Sequence, residues 1–500
     1  MYDVKQGIED LIYYAQEELG LVELDAVYAR NQLMALFSTD DMGEPSTEVK
    51  PIQEILDGLT SYGIEQGLAT EDELVRFETK IMGYVTPSPS FVAETFNLLY
   101  EECSPEEATR YLNDISVGSN YIRMKDVSKN LRWDAKNERG DVVVTINLSK
   151  PEKSAEQVAR ERLIPNQKYP KCMLCFENLG YNGSVKHPAR QTLRFVPIDL
   201  GGEEWYMQMS PYVYYDNHVI CFNKHHSPMA ITDMTFKRLT DFVAVFPHYF
   251  LGSNADLPIV GGSILSHDHY QGGGKVLPMF SRPVRTSFGV HNGVKVGILD
   301  WYNSVVYLAS KDQVALINTA SDVLAKWKQY SDESVGIYAH TDAPHNTITP
   351  IATMNENKEY ELYLILRNNR TDEAHPEGIY HPSRDMHHIK KEGIGLIEAM
   401  GIFILPGRLQ KEMQGVVDIL SGKAPYDEEA LNDTANPLNK HKAMIDELRK
   451  HSYSSEEEAE RAKTEYINET CRRILDTTAV FKNNEEGQEA FARFIHHVID

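Results

Sequence analysis

The residues best suited to chemistry lie in one short segment near the middle of the chain. It reads Asp256-Leu-Pro-Ile-Val-Gly-Gly-Ser-Ile-Leu-Ser-His-Asp-His-Tyr-Gln-Gly272 and places His267, His269 and Gln271 at alternate positions. If the segment forms a strand, its period of two directs all three side chains to one face. An imidazole there can attack phosphorus while the amide and backbone N–H groups hold the phosphoryl oxygens. The pattern favours phosphoryl-group chemistry over a pair of structural histidines.

This segment resembles the active-site signature of the class II galactose-1-phosphate uridylyltransferases, a branch of the histidine-triad superfamily. The superfamily carries His-x-His-x-His, and its transferase branch has Gln at the last position, as at Gln271. The resemblance extends from about residue 130 to about residue 410. It implies an α+β fold with a histidine-triad-like antiparallel sheet core in two halves. It also implies an enzyme of galactose metabolism that exchanges UMP between UDP-glucose and galactose 1-phosphate.

The resemblance assigns two residues to catalysis. His269 would form a covalent uridylyl-histidine, and Gln271 would donate hydrogen bonds to the phosphoryl oxygens. An amide suffices because the departing sugar phosphate is a stable anion that needs little protonation. Two displacements at one phosphorus predict ping-pong kinetics. Substrate contacts are predicted where glycines allow close backbone approach or where related enzymes meet substrate: Asn254, Gly261, Gly262, Ser263, His340 and Lys391.

A second candidate site begins at Cys172-Met-Leu-Cys175. In a cytoplasmic protein, Cys-x-x-Cys is a zinc half-site, a redox pair or a coincidence. Related class I enzymes complete a structural zinc site with a His after a Cys-Phe pair and with the first His of the signature. The resemblance therefore implies His226 and His267 as the other two ligands of one zinc ion. Two buried thiols without a metal are the alternative, and no organic cofactor is expected.

Composition limits the classes of function. A chain of 500 residues that is 42% hydrophobic and 25% charged is typical of a folded protein with two or three domains. Its net charge of -24 argues against nucleic acid or an anionic membrane as a partner. The charged first residues and the lack of a long apolar run predict a cytoplasmic protein. Anionic substrates then require local cations and backbone amides.

The pattern of apolar residues changes along the chain. Helical spacing predicts an added α-helical N-terminal region over residues 1–128. Short β-branched and aromatic runs, such as 212–215, predict a catalytic half over 129–290 and a second half over 291–500 that ends in a helical tail. The family resemblance implies a homodimer. The sequence gives no role to the helical N-terminal region.

Two other functions compete with the transferase. One is a histidine-triad hydrolase or phosphorylase of nucleotides, which Gln271 and the length of the signature disfavour. The other is a non-catalytic, zinc-stabilised binding protein that uses its helical region for interactions. A scaffold has no need for His and Gln at alternate strand positions between glycine turns.

Overall fold

The chain begins with helices. A computed structural model describes residues 2–149, 168–262 and 264–500. The side chain of Asp3 accepts hydrogen bonds from two backbone N–H groups and starts the first helix, and Gly20 ends it in the left-handed conformation. Before the first strand the helices are α1 (Val4–Leu19), α2 (Glu23–Phe37), α3 (Ile52–Glu65), α4 (Leu74–Val85), α5 (Pro89–Glu102), α6 (Pro105–Gly118) and α7 (Met124–Val127).

The strands occupy the middle of the chain. They are β1 (Leu131–Ala135), β2 (Val142–Asn147), β3 (Phe195–Leu200), β4 (Glu203–Met209), β5 (Val219–Asn223), β6 (Tyr249–Gly252), β7 (His269–Gly274), β8 (Val284–His291), β9 (Val294–Leu299), β10 (Val305–Ser310), β11 (Asn346–Met354), β12 (Tyr360–Asn368) and β13 (Ile402–Pro406). The remaining helices are α8 (Asp233–Val245), α9 (Gln313–Gln329), α10 (Leu396–Ala399), α11 (Leu409–Leu420), α12 (Glu428–Asn432), α13 (Lys442–Leu448), α14 (Glu456–Thr478) and α15 (Glu485–Ile499).

Ten strands form one antiparallel sheet in the order β3-β4-β5-β7-β6-β11-β12-β10-β9-β8. The first five positions come from the earlier part of the chain and the last five from the later part. The two groups join where β6 pairs with β11, with Leu251 opposite Ala352 and Gly252 opposite Ile351. This arrangement confirms the predicted fold class, an α+β structure whose sheet core has two halves and whose ends are helical. The predicted domain boundaries stay predictions.

A smaller sheet packs on one face of the large one. It has the order β1-β2-β13, and β13 runs parallel to β2. Val144 of β2 and Phe403 of β13 share a buried cluster with Phe250 of β6 and Ile351 of β11. Helices α8 and α9 bury Phe236 and Trp327, among other residues, in a second cluster that holds the opposite face. The large sheet therefore lies between two apolar layers.

A buried arginine joins the N-terminal helices to the sheet. The guanidinium of Arg194, next to β3, donates hydrogen bonds to the carbonyl oxygens of Pro87 at 2.6 Å and Thr86 at 3.1 Å. Burial lowers the pKa of Arg194 to about 10. Its remaining donors meet the carbonyls of Gln191 and Leu193. The helical region is thus anchored beside the sheet by a charged guanidinium whose hydrogen-bond partners are neutral carbonyl groups.

One predicted strand is a loop. The aromatic run 212–215 favours a strand by residue type, but it lies in the connection between β4 and β5. Val213 and Asn217 have φ values of 45° and 56°, which a strand cannot accommodate. Positive φ is especially unfavourable for a β-branched residue, so tertiary contacts must hold Val213 there.

The outer strand β8 is irregular. Its pairing with β9 shifts register twice, between Val284 and Thr286 and again between Ser287 and Gly289. Such bulges twist a strand and interrupt its hydrogen-bond ladder. Among the described residues, no helix has the length and apolarity needed to cross a membrane.

Candidate active site

Strand β7 carries the two predicted catalytic residues in the interior of the large sheet. It pairs with β5 through His269 opposite Phe222 and Gln271 opposite Ile220. On its other side, Gln271 lies opposite Gly252 of β6. Because the two residues are two positions apart, their side chains leave the same face of the strand. The strand begins at His269, so His267 lies just ahead of it.

The opposite face of β7 is held by a charged and aromatic cluster. Asp268 and the hydroxyl of Tyr270 contact the guanidinium of Arg238 at 3.4 and 3.3 Å. The ring of Tyr270 stacks on Trp205 with centroids 4.7 Å apart and an interplanar angle of 9°. Burial raises the pKa of Asp268 to about 6. These contacts fix the strand from behind and leave His269 and Gln271 to the other face.

His269 is a buried, neutral imidazole with one nitrogen already engaged. It is 6% exposed, and burial lowers its pKa to about 4. Its Nδ1 lies 2.7 Å from the carbonyl oxygen of His267. A carbonyl only accepts, so the proton is on Nδ1 and the lone pair is on Nε2. Within the described part of the chain, Nε2 has no hydrogen-bond partner. This nitrogen can act as a nucleophile.

Gln271 lines a cavity of about 450 Å³. Asn254 and the glycines Gly261 and Gly262, all predicted substrate contacts, share its wall. Tyr214 closes one side. The rest of the wall is Ile259 and a set of residues from the segment before α10, from α10 itself and from β13: Lys390, Glu392, Gly393, Gly395, Leu396, Ile397, Glu398 and Ile404. The cavity therefore lies between the large sheet, the small sheet and this connecting segment.

A tight turn forms the wall next to Gln271. The Oδ1 of Asn254 accepts a hydrogen bond from the backbone N–H of Leu396 at 2.8 Å, which leaves its amide NH2 for a ligand. A Cβ on Gly262 would lie 2.7 Å from Nδ2 of Asn254, and one on Gly261 would lie 2.6 Å from the carbonyl oxygen of Ala255. Both positions thus require glycine. Ser263, the remaining predicted contact of this turn, lies outside the described residues.

The lysine that lines the cavity, Lys390, is paired with carboxylates. The Nζ of Lys390 lies 3.0 Å from Oε1 of Glu398, 3.0 Å from the carbonyl oxygen of Ile404 and 3.8 Å from Glu392. Only 7% of the Lys390 side chain is exposed. Behind this pair, the buried guanidinium of Arg367 donates to the carbonyl of Ile394 at 2.6 Å. Because the cavity wall carries both an ammonium group and carboxylates, it can accept a ligand that has both an anionic group and hydroxyls.

Four predicted metal ligands come together beside the catalytic strand. One ligand atom each from Cys172, Cys175, His226 and His267 lies within 4.8 Å of the others. The sulfurs are 3.6 Å apart, Nδ1 of His226 is 3.1 Å from Cys175, and Nδ1 of His267 is 3.3 Å from Cys172. Tetrahedral zinc, with bonds of about 2.3 Å to sulfur and about 2.0 Å to nitrogen, separates its ligand atoms by roughly 3.3–3.8 Å. The cluster therefore has dimensions that fit a metal ion.

His267 connects this cluster to His269. Its Nε2 lies 2.8 Å from the carbonyl oxygen of Asn223, so Nε2 carries the proton and the lone pair of Nδ1 points to the thiols. Its own carbonyl oxygen accepts the hydrogen bond of His269 Nδ1. One residue thus contributes a ligand atom to the cluster and fixes the tautomer of His269.

Two predicted substrate contacts lie away from the cavity. His340 is exposed at a bridge to Pro344, and Lys391 is exposed beside Lys390; neither lines the cavity wall. Sequence reasoning missed Lys390 and Tyr214, because a loop has no periodicity that indicates which of two adjacent residues points inward. It also missed His218, whose Nε2 lies 3.2 Å from Oε1 of Gln271. His218 lies one residue before β5, and its place beside Gln271 depends on the pairing of β5 with β7, for which the sequence has no signal.

The chain matches two family descriptions in succession. Residues 20–228 match "Galactose-1-phosphate uridyl transferase, N-terminal domain", and residues 242–420 match "Galactose-1-phosphate uridyl transferase, C-terminal domain". Together the matched segments cover most of the chain. They include β7, the cavity wall and the four residues of the metal cluster.

Similar proteins extend over nearly the whole chain. The galactose-1-phosphate uridylyltransferase of Caldanaerobacter subterraneus subsp. tengcongensis is 45% identical over 99% of this chain and 98% of its own length. Those of Fusobacterium nucleatum and Clostridium acetobutylicum are 43% and 42% identical, over at least 98% of both chains in each comparison. A crystal structure of yeast Ap4A phosphorylase covers 67% of this chain and 92% of that chain, with 12% identity and a TM-score of 0.31.

Proposed function

Because the chain belongs to the galactose-1-phosphate uridyl transferase family, we propose that it exchanges UMP between UDP-glucose and galactose 1-phosphate. The products are UDP-galactose and glucose 1-phosphate. The exchange proceeds through a uridylyl group bound covalently to His269. The observation that carries this mechanism is the unpartnered Nε2 of His269, an unprotonated nitrogen on the same face of β7 as Gln271.

In the first half-reaction, the lone pair of His269 Nε2 attacks the α-phosphorus of UDP-glucose. A P–N bond forms, the bond from this phosphorus to the bridging oxygen breaks, and glucose 1-phosphate leaves with the electron pair. The ring becomes cationic but keeps its Nδ1 proton, which the carbonyl oxygen of His267 accepts at 2.7 Å. That contact stabilises the developing positive charge.

In the second half-reaction, a phosphate oxygen of galactose 1-phosphate attacks the same phosphorus. The P–N bond breaks and its electrons return to Nε2, which restores the free enzyme. Because each sugar phosphate is a stable anion, neither step needs a strong proton donor. Gln271 and the backbone of Gly261 and Gly262 then serve as hydrogen-bond donors to phosphoryl oxygens. Because the same phosphorus is attacked twice, the kinetics are ping-pong.

The cavity beside Gln271 is the proposed site for the hexose 1-phosphate. Its amide from Asn254 and its cation from Lys390 suit phosphate oxygens, and its carboxylates from Glu392 and Glu398 suit sugar hydroxyls. Lys390 also supplies positive charge that a chain of net charge -24 needs for an anionic substrate. His340 and Lys391 stay predictions without a contact in this cavity.

We further propose that Cys172, Cys175, His226 and His267 hold one structural zinc ion. When bound, zinc would crosslink the loop of Cys172 to the catalytic strand. The support is the donor set, two thiols and two imidazole nitrogens whose ligand atoms lie within 4.8 Å of one another, and the outward hydrogen bond from His267 to Asn223 that orients its ring. A cytoplasmic homodimer is proposed from the family resemblance alone.

A labelling experiment tests the covalent step. The protein is incubated with uridine-labelled UDP-glucose without any sugar phosphate acceptor, and acid-labile label on the polypeptide is measured. We expect label on the wild type and none on His269→Asn. His375→Asn is a matched control, because the side chain of His375 is exposed and contacts Asp372 of the same loop.

The identity of the acceptor, a sugar phosphate or water, distinguishes a transferase from a hydrolase. Adding galactose 1-phosphate to labelled protein should move the label into UDP-galactose. Steady release of UMP to water instead would indicate a hydrolase. Equal labelling of wild type and His269→Asn would place the nucleophile elsewhere.

A further inference from the structure

His218 is a buried histidine one strand away from Gln271. It immediately precedes β5, is 3% exposed, and its Nε2 lies 3.2 Å from Oε1 of Gln271. Its ring packs against Tyr215 and Tyr214 with centroids 4.5 and 5.7 Å away. The hydroxyl of Tyr215 is in turn bonded to the carbonyl of Gly272 at 3.1 Å. Aromatic packing therefore holds the imidazole in place beside the amide.

The hydrogen-bond count of His218 selects one tautomer. Burial lowers its pKa to about 4, so at neutral pH the ring carries a single proton. Among the described residues, its Nδ1 is buried with no hydrogen-bond partner. A proton on Nδ1 would bury an unsatisfied N–H, whereas a proton on Nε2 leaves only an unsatisfied lone pair. An orphaned N–H is the rarer of the two, so Nε2 donates to Oε1 of Gln271.

This contact determines which end of the Gln271 amide faces the cavity. With Oε1 engaged by His218, the two N–H donors of the amide are available to a ligand. Turned over, the amide would present its oxygen to phosphoryl oxygens, which also carry negative charge, and the interaction would be repulsive. We propose that His218 is a positioning residue that holds the Gln271 amide with its NH2 group toward the substrate phosphate. This inference rests on the proposed function of the site.

The test is a double-mutant cycle on kcat of the overall exchange. His218→Phe keeps an aromatic ring between the tyrosines but cannot donate, so kcat should fall about 10- to 100-fold with little change in KM, since a lost oxyanion donor costs about 100- to 1000-fold. Gln271→Met removes the donors directly and should show that full loss. In the Gln271→Met background, His218→Phe should then cost less than about threefold.

A merely structural role for His218 predicts losses that multiply in the double variant, and this outcome overturns the proposal. His218→Gln provides a second check, because its amide can still donate to Oε1. It should retain more activity than His218→Phe, and equal losses in the two variants would also overturn the proposal, even if His218→Phe folds poorly. Wild-type protein that forms no uridylyl adduct would instead refute the proposed function itself.

Discussion

Replacing Lys390 with methionine separates the two lysines that could meet the sugar phosphate. The sequence favours Lys391, whereas the cavity is lined by Lys390. Lys390→Met keeps much of the side-chain volume and removes the charge 3.0 Å from Glu398. At an effective dielectric constant of about 20, that pair interacts by about 5 kcal/mol. Breaking such a pair while its partner stays buried typically costs about 3–5 kcal/mol of stability.

The effect on activity should be separable from the effect on stability. Loss of one charge-assisted hydrogen bond to substrate, about 1.5–3 kcal/mol, lowers kcat/KM for galactose 1-phosphate about 10- to 150-fold. The double variant Lys390→Met/Glu398→Gln removes the unpaired carboxylate, so its stability should recover while its activity does not. Ping-pong kinetics assign the loss, because kcat/KM for each substrate reports its own half-reaction.

The assay compares Lys390→Met, Lys391→Met and the exposed-residue control Lys411→Met. Initial rates are measured with UDP-glucose and galactose 1-phosphate varied in turn, together with the apparent melting temperature. The large loss should belong to Lys390→Met. If Lys391→Met loses activity and Lys390→Met does not, the reasoning from the cavity wall is wrong and the sequence prediction is right.

Three more outcomes follow from the structure. Protein purified without a histidine tag should contain about one zinc ion per chain by elemental analysis. The variant Cys172→Ser should lower both the zinc content and the melting temperature. The control Cys103→Ser, at an exposed cysteine, should change neither. Burial lowers the pKa of His388, like that of His218, to about 4. As the pH falls below about 6.5, these histidines are therefore protonated in the unfolded chain before the folded one, and each should lower the free energy of unfolding by about 2 kcal/mol at pH 5. An unchanged denaturation midpoint between pH 7 and 5 would contradict this. Gly262→Ala would place a Cβ 2.7 Å from Nδ2 of Asn254, so Asn254 should shift and kcat/KM should fall about 5- to 150-fold, equivalent to about 1–3 kcal/mol. A wild-type rate would contradict the requirement for glycine at this position.

The sequence was most informative where a short motif dictated local geometry. His269 and Gln271 do share a face of one strand, and Asn254, Gly261 and Gly262 do line one cavity with Gln271. Four predicted ligands separated by up to 95 positions also gather beside that strand. A resemblance to known enzymes supplied this grouping, because spacing alone cannot indicate which distant His completes a Cys-x-x-Cys.

The rest depended on tertiary contacts that leave no periodic pattern. Aromatic residue types favoured a strand over 212–215, but packing holds Val213 at a positive φ and makes a loop. Lys390 and Lys391 are adjacent in an irregular segment, and the inward direction of Lys390 follows from its partners Glu398 and Ile404. His218 was missed because its relation to Gln271 depends on the pairing of β5 with β7.

The irregular outer strand β8 restricts how two copies of this protein could associate. A continuous sheet across two subunits needs a straight edge with evenly spaced free N–H and C=O groups. The register shifts between Val284 and Thr286 and between Ser287 and Gly289 remove that regularity. A dimer that met at β8 should therefore do so through side-chain surfaces, and its subunits would dissociate there without unzipping a shared backbone ladder.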